Sequence, residues 1–449
     1  YNEKLDDNAK TYSSIRFNSK QVLNKDNVLT YEALITNSIS TTRSINENPN
    51  TFEDIFIRLD SYELFDDSDY LRSELSTVEA LDNTNSGFIP LAPSIKYSSQ
   101  KLLKNELTFT NDLNLVNLKR NESSLGKPSE ILSFKTNNSL KSNHKSKNTI
   151  FYNKINLNNN IASYEYEHSP NLDDEVFQSN IILSSDVFFN LKQSVTPRIK
   201  LIQNLNLVSD SVINEDSKAI TFNYHNQYSD NRLYGIDLED NSSRIVYGLE
   251  NKIKFYEKNL QFNFNQSYDF NKNNNYTKKI NQTSNFSDIA LEAKTNFDNI
   301  FFKIDSRLGN RELEKKEMNY FFQYNDVVDL TLNYNETDAK AFQNLSTDTQ
   351  FLGASIGKKM NDNVFLSVSS DLDLKNNYSP LSQTIKLSIF DECSKLDISY
   401  TDKRFNDDYN TQPSEIINLS FTMDYLGFFG YEQKSNVFFE ETGDFNYGY

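Results

Sequence analysis

Residues 244–270 read RIVYGLENKIKFYEKNLQFNFNQSYDF, and the alternation in this stretch decides the fold. Ile245, Tyr247, Leu249, Ile253 and Phe255 alternate with Arg244, Gly248, Glu250, Lys252 and Lys254. After a short turn at Glu257-Lys258-Asn259, Leu260, Phe262, Phe264, Tyr268 and Phe270 alternate with Gln261, Asn263, Asn265, Ser267 and Asp269. Successive side chains of a strand point to opposite faces, so each strand has one apolar and one polar side. Val246, Asn251 and Gln266 break the pattern. A strand of about 11 residues, rising ~3.3 Å each and tilted about 45°, covers the ~25 Å apolar band of an outer membrane.

The same period recurs at Tyr320, Phe322 and Tyr324, at Leu330, Leu332 and Tyr334, at Val364, Leu366 and Val368, and at Ile385, Leu387 and Ile389. Clusters of Asn, Asp, Ser and Lys separate these runs, as hairpin turns require. Helical periodicity is nowhere sustained. Alternation this long and this repeated predicts an all-β chain, a large antiparallel transmembrane outer-membrane β-barrel, over a sandwich of shorter strands.

Composition narrows the function. The 449 residues have a mean hydropathy of −0.67, yet 26 Tyr and 33 Phe argue for ordered β-structure over disorder. A net charge of −17 offers nucleic acid no basic face. The lone Cys393 excludes an intrachain disulfide framework. His144, His168 and His225 show no metal-ligand spacing, and neither metal nor cofactor is expected. Enzymatic readings fare poorly. Paired carboxylates such as Asp66-Asp67 and Glu440-Glu441 lack a companion base, and Glu167, His168 and Ser169 are adjacent, so on a strand they do not converge.

The most specific motifs lie between residues 214 and 249. They are Asn214-Glu215-Asp216-Ser217, then Asn231-Arg232-Leu233-Tyr234-Gly235-Ile236-Asp237, then Arg244-Ile245-Val246-Tyr247-Gly248-Leu249. Gly235 permits a bend or a positive φ. Arg232, Asp237 and Arg244 suit a charge network in a polar lumen, or are simply loop charges. This ordered series resembles the LPS-assembly protein (LptD) family, with Leu238 where the family usually has Arg. Asn265-Gln266-Ser267-Tyr268 and Ser287-Asp288-Ile289 are similar to its next strand signatures. Asp391-Glu392-Cys393, with Arg404, Phe405, Pro413 and Leu426-Gly427, is similar to its D-E-C barrel-end pattern. Pro90 to Tyr97 resembles its P-x-x-P-x-x-x-Y element, so the matches run from about residue 88 to residue 427 of a chain read throughout (1–449) as the family's C-terminal barrel portion.

The resemblance implies lipopolysaccharide as substrate, outer-membrane lipid as surroundings, an LptE-like lipoprotein plug in the lumen and a periplasmic bridge delivering the substrate. It also implies that the family's N-terminal jelly roll and first barrel strands have no counterpart here, which would leave unpaired edges that lipid does not tolerate. In relatives the cysteine at the position of Cys393 can join an N-terminal partner; otherwise it is a packed thiol. The alternating Phe445, Tyr447 and Tyr449 suit a barrel assembly signal or an aromatic girdle. A porin or receptor barrel shares the alternation but not the motif series, and an adhesin of β-sandwiches or solenoids calls for shorter strands or a fixed repeat. Tyr247 and Phe262 are expected toward lipid, Glu250 and Lys252 toward the lumen.

Overall fold

A computed structural model describes residues 11–36, 55–63, 69–77, 89–103, 107–119, 128–167, 174–189, 195–209, 218–220, 222–234, 238–255, 258–271, 274–341, 347–375, 378–404, 414–423 and 427–436. The strands in chain order begin with β1 (Thr11–Val22), β2 (Asn27–Thr36), β3 (Ile55–Tyr62), β4 (Tyr70–Thr77), β5 (Ile89–Leu102) and β6 (Leu107–Lys119). The longest follow: β7 (Glu130–Lys145), β8 (Thr149–Glu165), β9 (Asp174–Phe189) and β10 (Val195–Ser209). A small ribbon of β11 (Lys218–Ala219) and β12 (Leu233–Tyr234) carries the short helix α1 (Tyr224–Gln227) between its strands. Then come β13 (Arg244–Phe255), β14 (Lys258–Asp269), the helix α2 (Asn275–Lys279), β15 (Ile289–Phe297), β16 (Ile300–Leu308), β17 (Lys315–Asn325) and β18 (Asp329–Thr337). The chain continues through β19 (Thr349–Asn361), β20 (Val364–Asp373), β21 (Ser379–Asp391), β22 (Ser394–Lys403), β23 (Ser414–Met423) and β24 (Gly427–Asn436).

All but β11 and β12 form one 22-stranded sheet in which each strand pairs antiparallel with the next in sequence. The sheet closes. β1 pairs with β24 over eight residues, from Thr11 opposite Ser435 to Asn18 opposite Phe428. This corrects the expectation of unpaired edges: every barrel strand described has two neighbours, and closure removes the exposed backbone polar groups that lipid would not tolerate. Among the described residues no helix is long and apolar enough to cross a membrane.

The two ends differ. Connections such as 146–148, 298–299, 362–363 and 392–393 are tight turns, whereas those at the opposite end include the long stretches between β10 and β13 and between β14 and β15. Short turns mark the periplasmic end of such barrels and long loops the outer end.

Burial is inverted relative to a soluble protein. On β14, Asn263, Asn265, Ser267 and Asp269 are fully buried, while Leu260 and Phe262 are exposed. The same holds on β8, where Asn156, Asn158 and Asn160 are buried and Ile155 and Ile161 exposed, and on β10, whose Ile199, Leu201 and Leu205 face outward. An apolar outer surface beside a polar inner one is stable only where lipid replaces water outside.

Candidate functional site

The polar faces of β13 and β14 are buried because the two longest described loops fold back into the barrel. The loop bearing α1 makes the first contact. Asn223 caps α1 by accepting a hydrogen bond from the Asn226 amide (2.8 Å), as a short polar residue at a helix start does. The wall then grips its backbone: Asn265 Nδ2 donates to the Tyr224 carbonyl (2.6 Å) and Lys200 Nζ to the Tyr228 carbonyl (2.7 Å). Tyr224 and Tyr228 pack against Val246, which explains why an apolar residue interrupts the polar face of β13.

At the centre lie four charged side chains with no exposure. Arg232 Nε contacts Asp240 Oδ2 at 2.7 Å and its Nη2 reaches Asp269 Oδ1 at 3.1 Å; Arg244 Nη1 meets the same Asp240 oxygen at 3.1 Å. Ser242 and the Ser229 carbonyl complete the Arg244 shell. Asn231 sets the loop: its Oδ1 accepts from the amides of Leu233 and Asp240, each at 3.0 Å, holding both ends of the 231–240 excursion together. The Arg232 guanidinium also stacks over Tyr276 of the second loop, 4.1 Å from the ring centre. Burial works against an ionised Asp240, but Arg232 and Arg244 outweigh it and hold the carboxyl down at about 2. Asp230 is likewise held at about 2, burial being overcome by Lys200 and Lys154. Burial raises the Tyr276 phenol to about 12.

A second anchor joins the other loop to the wall. Arg307 of β16 is buried and binds Asp288 (2.7 Å), the Ile280 carbonyl (2.9 Å) and the Ala341 carbonyl (2.9 Å), and Lys316 adds to Asp288 at 3.1 Å. Phe222, Leu233, Tyr276, Ile280 and Ala290 form a small apolar core between the loops and the wall. The lumen on this side therefore holds a second folded layer.

The motif residues are placed unevenly. Arg232 and Arg244 share Asp240, and Arg232 also pairs with Asp269; Asp237 lies outside the described residues, as do Asn214, Glu215, Asp216, Ser217 and Gly235. Gly248 is required by close approach, since a Cβ there would lie 2.3 Å from the Phe264 carbonyl and 2.6 Å from the Tyr228 hydroxyl. Tyr247, on the opposite face from Gly248, donates to Gln266 Oε1 (2.6 Å), and Gln266 Nε2 donates to the Ser287 carbonyl (2.9 Å), so the polar exception on β14 is satisfied. Glu250 accepts from Tyr224 (2.9 Å) on the inner face, the face that alternation also gives Lys252. Asp391 and Cys393 sit in the exposed β21–β22 turn, where Asp391 Oδ1 accepts from the Glu392 amide, and they take no part in the site. The thiol is exposed, not packed. His168, Asp66-Asp67, Glu440-Glu441, Phe405, Pro413, Leu426 and the last aromatics lie outside the described residues. Arg307 was not singled out in the sequence, although Asp288 was, and its inward register at the end of β16 was the available signal.

A closed 22-stranded barrel with an apolar exterior, a polar interior and ion-paired loops packed inside defines an outer-membrane β-barrel, and its place is the outer membrane of a Gram-negative cell. Two solved structures share this fold. One is a mutant of the ferric enterobactin receptor PfeA from Pseudomonas aeruginosa (TM-score 0.50, 9% identity, 96% of this chain and 80% of that one), the other the siderophore receptor PirA from Pseudomonas aeruginosa (0.50, 7%, 96% and 80%). No curated protein matches the sequence. Residues 81–364 match the model of LptD, LPS transport system D, and the chain belongs to that family.

Proposed function

We propose that this barrel delivers lipopolysaccharide into the outer leaflet of the outer membrane. The observation that carries the reading is a polar, ion-paired inner layer inside an apolar barrel of this family. Lipopolysaccharide has a hydrophilic sugar head and acyl chains, so its carrier needs a polar lumen for the head and a route into lipid for the chains. The reading requires that the head pass beside the loops tied to this wall. A lipoprotein plug of the LptE kind and a periplasmic bridge are the partners this reading calls for. The role is transport, with no covalent step on the substrate.

The test is depletion of the protein in its own cell, following labelled lipopolysaccharide between membranes together with small-solute influx. Stranded lipopolysaccharide and increased entry of hydrophobic compounds are expected. Normal delivery combined with reduced small-solute influx overturns the reading in favour of a porin.

A further inference from the structure

The apolar outer face is not equally tall around the barrel. On β13 and β14 the outward residues stay apolar over 245–255 and 260–270, interrupted once each, by Asn251 and Gln266. On β18, β19, β21 and β22 the outward apolar run covers only 330–334, 352–356, 385–389 and 396–400; β20 between them adds Leu372 beyond Ser370. Register makes Leu330, Ile356, Val368, Ile385 and Tyr400 one row, and its last four members are exposed. At ~3.3 Å per residue and a tilt of about 45°, the long runs rise ~23 Å and the short ones ~9 Å, against an apolar band of ~25 Å.

The shortfall lies at the outer end. Leu330, Ile389 and Leu396 stand within two residues of the periplasmic end of their strands, as Phe255 and Leu260 do; on β19 Lys358 intervenes. Past each short run the next outward position toward the cell exterior is polar: Glu336, Gln350, Gln383 and Asp402. Lys315 Nζ lies 2.6 Å from the Glu336 carboxylate, to which Gln350 Nε2 and the Tyr334 hydroxyl each donate at 3.0 Å. Arg404 pairs with Asp402 at 2.7 Å. Charged groups are costly in hydrocarbon, and a short apolar span is met by thinning of the bilayer around it. A flat layer tall enough for β13 and β14 would submerge the ion pairs of β18 and β22.

We infer that β18–β22 is a face for thinned bilayer, its partner being lipid whose outer leaflet dips to the row from Glu336 to Asp402. The thinning stands on the wall alone. Its use rests on the proposed transport: on this side a polar headgroup reaches the leaflet surface over a shorter hydrocarbon path.

The experiment places the folded chain in phosphatidylcholine vesicles. The sequence has no Trp, so a single introduced Trp reports alone. Ala354→Trp and Phe264→Trp mark the middles of the short and long runs; Gln350→Trp and Lys358→Trp, and Leu260→Trp and Tyr268→Trp, lie four residues to either side. Four residues rise ~9 Å, less than half of ~25 Å, so a layer of even height covers all four flanking positions. Fluorescence is quenched from water by iodide and from the bilayer centre by phosphatidylcholine brominated near its chain ends. Iodide is expected to quench Gln350→Trp and Lys358→Trp several-fold more than Leu260→Trp and Tyr268→Trp, with both midpoints quenched by brominated lipid. If Gln350→Trp fails to fold, Gln383→Trp, at an exposed position on β21, tests the same row. Equal iodide quenching of all four flanking variants, or quenching of Gln350→Trp by brominated lipid, overturns the inference. Protection of Gln350→Trp from both quenchers also overturns it, since a second protein copy would then cover the face. Thinning combined with normal lipopolysaccharide delivery after depletion upholds this inference and removes only the transport reading; lost delivery with an even layer does the reverse.

Discussion

The β13–β14 hairpin and the β21–β22 hairpin carry the same alternation and end in different environments. On β21 and β22 the outward residues Ile385, Ile389, Ile398 and Tyr400 are exposed, as Leu260 and Phe262 are on β14. Inside, Asp397 pairs with Lys395 (2.9 Å) and Lys386 (3.3 Å), and both lysines remain 40% exposed toward the lumen. Inside β13–β14, Arg244 and Asp269 have no exposure because Arg232 and Asp240 have folded over them. Period two thus builds a wall everywhere, and an inner layer forms only where long loops bring counter-charges to it.

That difference sets the energetic scale of each network. Removing one partner of a buried ion cluster leaves an uncompensated charge and costs about 3 to 5 kcal/mol. Asp240→Asn should destabilise the barrel by about that much in urea titrations from lipid vesicles, the largest effect expected here. Arg232→Met added to it should recover part of the loss, because Arg232 and Arg244 would otherwise face each other across a weakened bridge. Strict additivity would remove the shared carboxylate from the account. Acid sharpens the point. The Asp240 carboxyl lies at about 2 in the folded chain against 3.8 for the free group, so its contribution is whole above about pH 4 and is lost as pH falls toward 2. Unfolding followed across that window should show the drop in the parent chain and lack this component in Asp240→Asn.

The outer wall was legible in the sequence and the inner layer was not, for physical reasons visible in particular residues. Side-chain alternation is a local property, so the lipid-facing register of β13, β14, β20 and β21 could be read residue by residue. Closure could not be: the pairing of Thr11 with Ser435 spans nearly the whole chain and leaves no periodic mark. The buried cluster was half legible. Arg232 and Arg244 stood out, but the carboxylate between them is Asp240, brought in by the Asn231 clasp, and Asp269 arrives from the next strand by register. The pair that answers the sequence expectation is therefore tertiary, while the expectation itself used the nearest acid in the motif.

Two glycines on the inner face extend the comparison at intermediate scale. A Cβ at Gly248 would strike the Phe264 backbone carbonyl at 2.3 Å, and backbone does not move aside; at Gly353 it would meet only the Asp371 side chain closely, at 2.9 Å. Gly248→Ala should cost about 1 to 3 kcal/mol by overpacking. Gly353→Ala should cost clearly less, since Asp371 can rotate away. Thermal shifts in electrophoretic mobility of the folded barrel compare the two directly, and equal losses would mean that the inner layer is not packed onto β13.

The smallest effect is expected at Asp397→Asn. Its carboxylate has two lysines and the Ser388 hydroxyl as partners, an arrangement that on paper is as rich as that of Asp240. What differs is water: the lysines are 40% exposed, so each keeps much of its hydration when its partner is neutralised. Exposed pairs of this kind are worth about 0 to 1 kcal/mol. Neutralising Asp397 should therefore shift urea unfolding by no more than that, and raising the salt concentration should shrink the shift further by screening. A loss matching that of Asp240→Asn would mean that the lumen beside β21 and β22 is as dry as that beside β13 and β14. The contrast between a layered wall and a wetted one would then collapse.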